Sequence, residues 1–124
     1  MMIKLLIVDD DLPLCDFLRM FFSRKDYQVF TAIDGKQALS IVKEKQPNII
    51  LLDIRMPGLS GIEVLQKIKE IDKGAKVIMM TAVDETMVVE LAMNYGATDY
   101  ITKPFSLEYL EKDVFLKVLK QLIR

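Results

Sequence analysis

Asp9, Asp10, Asp53, Thr81 and Lys103 are the residues of this 124-residue chain whose types could act together chemically, and each stands at the end of a short apolar run. If the first and third runs lie side by side, three carboxylates converge. At about 5 Å and an effective dielectric of about 20, each pair would repel by about 3 kcal/mol. Such a cluster needs compensating charge. Lys103 supplies one unit, and a hard divalent cation with oxygen ligands supplies the rest. Mg²⁺ is favoured because it takes one or two protein carboxylates, keeps waters and leaves room for a phosphate oxygen. With a cation, a lysine and a hydroxyl present, the pocket can accept a phosphoryl group, since all three stabilise charge on its equatorial oxygens. The nucleophile is then a carboxylate. Asp53 is the choice because it is central and isolated, whereas the adjacent Asp9 and Asp10 are better arranged to hold the metal.

Singly, each residue has an ordinary explanation. The run Asp9-Asp10-Asp11 could be a turn placed favourably at a helix start, Asp53 a turn residue, Thr81 a strand-end hydroxyl and Lys103 a solvated charge. Together they fall at the ends of the first, third, fourth and fifth of five apolar runs, which the ordinary explanations do not account for. Asp11 is assigned to helix capping and Cys15 to packing as a small hydrophobe.

The elements that must position these residues follow from periodicity. Strands are predicted at Ile3 to Val8, Tyr27 to Thr31, Asn48 to Leu52, Lys76 to Met80 and Asp99 to Thr102. The first helix is entered through Asp11, Leu12 and Pro13 and presents Leu14, Phe17, Leu18, Phe21 and Phe22 on one face. The second opens at Asp34 with Gln37 three residues on and ends before Pro47. Ser60 and Glu63 form a capping box for the third, which carries Val64, Leu65, Ile68 and Ile71 inward and is closed by Gly74. Asp84 caps the fourth, which runs to about Tyr95 and is closed by Gly96. The last starts at Ser106, with Phe105 and Leu110 placed as a hydrophobic staple, and runs to the chain end. Uninterrupted alternation of strand and helix gives, through right-handed crossovers, a single α/β domain: a doubly wound parallel sheet with helices on both faces. Ligands then sit at the carboxyl ends of the strands, where strand order reverses.

Composition narrows the chemistry. Apolar residues make up 52% and charged residues 28%, as in ordinary globular domains. Seventeen Lys and Arg against 18 Asp and Glu leave a net charge of −1, with no basic excess to neutralise a nucleic-acid backbone. There is no His, so Ser-His-Asp and Cys-His sites and His-ligated zinc or haem are excluded, and the lone Cys15 cannot form an internal disulfide. No apolar run approaches the roughly 18 residues of a membrane span. With no signal-peptide pattern at MMIKLLIV, a cytoplasmic location without membrane or nucleic-acid contacts is expected.

The segments IVDDD at 7 to 11, IILLDIRMPGLSGIEVL at 49 to 65, VIMMTA at 77 to 82 and DYITKPF at 99 to 105 resemble the response-regulator receiver domain of bacterial two-component signalling, of chemotaxis-regulator type. The likeness covers essentially the whole chain, a receiver (phosphoacceptor) domain over 1–124. It implies the flavodoxin-like strand order 2-1-3-4-5. It also implies that Asp53 accepts a phosphoryl group from a phosphohistidine on a sensor histidine kinase or histidine phosphotransferase, and that Asp9, Asp10, Asp53 and the backbone carbonyl of Arg55 position Mg²⁺. Lys103 would pair with the phosphoryl group, and its bond to Pro104 is cis in many receivers. Thr81 would close onto a phosphoryl oxygen and Tyr100 would swing into the space vacated. The output would be a repacked surface of the fourth helix, fifth strand and fifth helix, read by an effector protein, an attached C-terminal output domain or, on phosphorylation, a second copy of the chain. On this reading the protein is no enzyme beyond catalysing its own phosphorylation and dephosphorylation. Arg55 and Val83, each two residues beyond a key side chain, would tune the lifetime of the acyl phosphate by shielding it from water.

The fourth helix, with Met87, Val88, Val89, Leu91, Ala92, Met93 and Tyr95, holds more apolar positions than one core-facing stripe needs; it is either well buried or partly a partner surface. A rival reading is a haloacid-dehalogenase-like phosphatase with Asp9 as nucleophile and Asp11 as second acid, although Leu12-Pro13 departs from that motif. A flavin-binding electron carrier on the same fold would need hydroxyl and backbone donors where this chain has three acids. A receiver-like module that is never phosphorylated would not need the full acidic set, Thr81 and Lys103.

Overall fold

The computed structural model describes residues 2–56, 58–82 and 85–123. Five strands, β1 (Ile3–Val8), β2 (Tyr27–Ala32), β3 (Ile49–Asp53), β4 (Lys76–Thr81) and β5 (Asp99–Thr102), form one parallel sheet in the order β2-β1-β3-β4-β5. The chain reverses direction across the sheet between β1 and β3, which opens a crevice at their carboxyl ends. Because β1 and β3 are covered on both sides, alternate residues enter two cores. Leu6, Val8, Ile50 and Leu52 pack under α2 (Gly35–Lys45) and α3 (Gly61–Ile71), while Leu5, Ile7, Ile49 and Leu51 pack under α1 (Leu12–Ser23) and the last helix. The fourth helix, α4, spans Thr86–Asn94 and buries only Ala92 fully.

Capping residues act as their positions suggest. Asp11 accepts from the Leu14 N–H, Asp34 from the Gln37 N–H, and Ser60 and Glu63 close a reciprocal box. Gln37 bonds back to the Ile33 N–H, one residue earlier than a capping box requires. The last helix, α5, is continuous over 107–122 but not uniform: Leu107–Tyr109 and Phe115–Leu122 are α-helical and Leu110–Val114 is π-helical. Leu110, Val114 and Val118 are its buried residues. Their strict four-residue spacing overshoots a 3.6-residue turn, and one wider turn keeps them on one face.

Three details differ from the periodic expectation. Phe17 is 38% exposed, and Cys15 takes its place in the buried stripe of α1 with Leu18, Phe21 and Phe22. Ile71 is also 38% exposed, because α3 ends there and the chain turns away. The α3 terminus is Asp72 in an extended conformation, so no left-handed glycine cap operates and Gly74 instead donates to the Asp72 side chain. Phe105 packs against the cluster that buries Leu110 and also stacks on Tyr109, with centroids 5.9 Å apart. The expected cap Asp84 lies outside the described residues. Gly96, at φ +104°, does close α4.

Candidate functional site

Strand register delivers the acids to one place. Val8 lies opposite Leu52, so Asp9 and Asp53, the next residues, leave adjacent strands side by side. One carboxylate oxygen from each of Asp9, Asp10 and Asp53 lies within 4.8 Å of the others. Asp9 and Asp53 are buried and Asp10 is exposed, so the cluster opens to solvent on one side. Gly61 lets α3 start hard against this strand end. A Cβ there would collide with the Asp53 carbonyl and come 2.6 Å from the Ile54 Cα.

Each buried oxygen has a defined environment. Asp9 Oδ1 accepts from the Asp11 N–H at 3.0 Å, and Asp53 Oδ1 from the Arg55 N–H at 3.3 Å. Lys103 Nζ stands 2.7 Å from Asp9 Oδ2 and 3.4 Å from Asp53 Oδ2. The Lys103 backbone leaves β5, two strand positions and about 10 Å from β3, and the long lysine stem carries the ammonium across to the acids. The Lys103 N–H is anchored on the Thr81 carbonyl at 2.7 Å, and the peptide to Pro104 is cis. Among the described residues, Asp9 Oδ2 receives no well-angled hydrogen bond despite the close ammonium. A buried carboxylate oxygen with a lone pair left over, facing two more carboxylates, is a donor set suited to a hard cation. The acidic pocket is therefore compatible with Mg²⁺.

The electrostatics are those of a poised acid. Burial, reinforced by the Asp9 charge, pushes the Asp53 carboxyl up to about 6 against the opposing pull of Lys103 and the Arg55 N–H. Burial alone would lower Lys103, but the Asp9 and Asp53 carboxylates outweigh it and hold the ammonium above its usual range. Burial and the Asp9 charge raise the neighbouring Cys15 thiol to about 11, so it stays protonated and donates to the Asp9 carbonyl at 3.2 Å.

Thr81 is buried at the end of β4, where its hydroxyl donates to the Ala82 carbonyl at 3.1 Å. It is near the acids in the fold but bonded elsewhere. Tyr100 is 42% exposed, and together with Thr81, Ala82, Glu85, Thr86, Val89 and Thr102 it borders a cavity of about 160 Å³. Glu85 is a site residue that the motifs did not reveal. Its buried carboxylate accepts from the Ala82 N–H at 3.0 Å and from Arg55 Nε at 2.8 Å, tying the loop after β4 to the loop after β3. It stands at the α4 N-cap position without making a capping bond, so no cap pattern could have flagged it. Burial opposes its charge, but the Ala82 N–H and Arg55 hold its pKa below the usual carboxylate range. Val83 lies outside the described residues.

Residues 5–115 match the response regulator receiver domain. The chain belongs to that family. It is 39% identical over 111 residues to sporulation initiation phosphotransferase F of Bacillus subtilis, covering 90% of each chain. Among solved structures it is similar to a CheY-like receiver protein of Methanospirillum hungatei, at 29% identity, with 98% of each chain covered and a TM-score of 0.88. It is also similar to the response regulator domain of Thermotoga maritima CheB, at 30% identity, covering 100% of this chain and 99% of that one with a TM-score of 0.87. The chain is thus a receiver domain homologous to phosphorelay signalling proteins of two-component systems. Receiver domains interact with histidine kinases or phosphotransferases and with effector domains. The phosphatase alternative finds no support: Asp11, its required second acid, is occupied as the α1 cap.

Proposed function

We propose that the whole chain, 1–124, is the phosphoacceptor domain and that Asp53 takes a phosphoryl group from a phosphohistidine. The observation that carries this is the arrangement of Asp53, whose Oδ1 is held by the Arg55 N–H and whose Oδ2 faces Lys103 beside the buried Asp9. An Asp53 oxygen attacks phosphorus, the O–P bond forms, the P–N bond breaks and the imidazole leaves on the partner. These 124 residues contain no histidine, and the phosphohistidine would be that of a sensor kinase or a histidine phosphotransferase.

Asp9, Asp10, Asp53 and the Arg55 carbonyl would hold Mg²⁺, which when bound supplies charge stabilisation for the transferring group. Lys103, already between Asp9 and Asp53, pairs with a phosphoryl oxygen. Thr81 rotates from the Ala82 carbonyl to donate to another, and Tyr100 turns inward into the cavity beside it. This would couple the site to the β5 and α4 surface, where Met87 is 84% exposed and Leu91, Met93 and Tyr95 are all more than 40% exposed. That apolar face fits an effector protein, an output domain or a second copy of the chain. Arg55 and Val83 would set how long the acyl phosphate lasts. The only reactions catalysed would be the domain's own phosphorylation and dephosphorylation, in the cytoplasm. No helix among the described residues is long and apolar enough to cross a membrane.

Mass spectrometry of the protein with acetyl phosphate and Mg²⁺ tests this reading. One added phosphoryl group is expected in the wild type and none in Asp53→Asn. Equal labelling of both would refute it.

A further inference from the structure

The α5 residue Lys117 touches Tyr100 and its neighbour three times. Its Nζ donates to the Tyr100 carbonyl at 2.7 Å, stands 3.5 Å from Asp99 Oδ1, and lies 5.0 Å from the centroid of the Tyr100 ring. Asp99 Oδ1 also accepts from the Tyr100 N–H at 2.8 Å, so backbone, ring and cation form one unit. The carbonyl bond and the ion pair fix the ammonium on β5, and the ring contact rewards only a Tyr100 ring that is turned outward. The other position open to that ring is the cavity beside Thr81, whose lining does not include Lys117.

The geometry points to Lys117 as a positioning residue that holds Tyr100 outward and so opposes the switched state. This rests on the reading of Tyr100 as the moving element. A contact made in only one of two conformations biases their equilibrium by its own strength, and by linkage it weakens binding of anything that favours the other. A cation over an exposed aromatic ring corresponds to about a two- to fivefold bias.

Two measurements on the intact chain separate this claim from the one beneath it. In the unphosphorylated protein, NMR contacts between the Tyr100 ring and the Val89 methyls report the inward population. Lys117→Met is expected to raise them about two- to fivefold, and Lys117→Arg to leave them at the wild-type level. No rise in Lys117→Met, or an equal rise in Lys117→Arg, would overturn the assignment, whatever Asp53 does. The affinity for beryllofluoride with Mg²⁺ should increase by the same factor in Lys117→Met, and the gain should vanish in a Tyr100→Ala background. A gain that survives there would show that Lys117 acts otherwise than through the ring. Failure of the wild type to bind beryllofluoride would count against Asp53 as acceptor, and the ring contacts would still decide the role of Lys117.

Discussion

The two ends of the sheet use similar residues to opposite effect. At the amino ends, a cavity of about 950 Å³ is bordered by Lys43, Gln46, Asn48, Asp72, Lys76 and Gln121, among others. Polar side chains there stitch the backbone together: Asn48 Oδ1 accepts from the Lys4 N–H at 2.9 Å, Lys4 Nζ donates to the Lys45 carbonyl at 3.1 Å, and Lys69 Nζ to the Ala75 carbonyl at 2.6 Å. At the carboxyl ends the lysine faces carboxylates instead of carbonyls, and two of those carboxylates are buried. Size therefore does not mark the chemical end. What marks it is convergent charge that the protein alone leaves incompletely compensated.

The contrast is broken most severely at Lys103. Lys103→Met should leave Asp9 and Asp53 facing each other, cost about 3 kcal/mol of stability in urea titrations, and slow Mg²⁺-dependent phosphoryl uptake from acetyl phosphate about 100-fold. Retention of both properties would mean that the ammonium is a bystander.

A pH series sharpens the comparison further. The folded protein holds the Asp53 proton up to about 6 against an ordinary value of 3.8. Between these values the folded state binds more protons than the unfolded one, so metal-free stability contributed by this group falls as pH rises from 3.8 to about 6. Asp53→Asn should remove that decline and melt several degrees above the wild type at pH 7, with the gap closing toward pH 4. Mg²⁺ at pH 7 should raise the wild-type melting temperature and not that of the variant. A variant that melts below the wild type at neutral pH would contradict the electrostatic picture.

Smaller effects are expected at the rim. Arg55→Ala removes the guanidinium that bridges to Glu85 and should shorten the phosphoryl lifetime by a few-fold, about 1 kcal/mol of barrier; an unchanged lifetime would exclude shielding by Arg55. At the opposite end, Asn48→Ala should cost about 1 kcal/mol of stability and leave phosphoryl uptake unchanged.

The acids, Thr81 and Lys103 were legible because each terminates an apolar run, and alternation of strands with helices makes run ends meet on one edge. The capping residues Asp11, Asp34 and Ser60 were legible because their bonds are local. Glu85, Lys117 and Tyr109 were not. Glu85 acts by a bond to Arg55, 30 residues away, Lys117 by contacts 15 or more residues back, and the Tyr109 hydroxyl by accepting from the Thr102 N–H across a turn. No local period encodes such pairings. Phe17 was misplaced because a helix with apolar residues at Leu14, Cys15, Phe17 and Leu18 offers two overlapping faces, and only packing against the sheet chooses between them. The same ambiguity in α4 resolved toward the surface, with Met87, Leu91, Met93 and Tyr95 exposed.

If one oxygen of Asp53 carries the phosphoryl group as an acyl phosphate, reductive trapping will find it there. Borohydride treatment of the phosphorylated protein converts the aspartyl phosphate to homoserine, which peptide sequencing locates. Homoserine at position 53 alone is the predicted result. Homoserine at position 9 or 10, with Asp53 intact, would contradict the account.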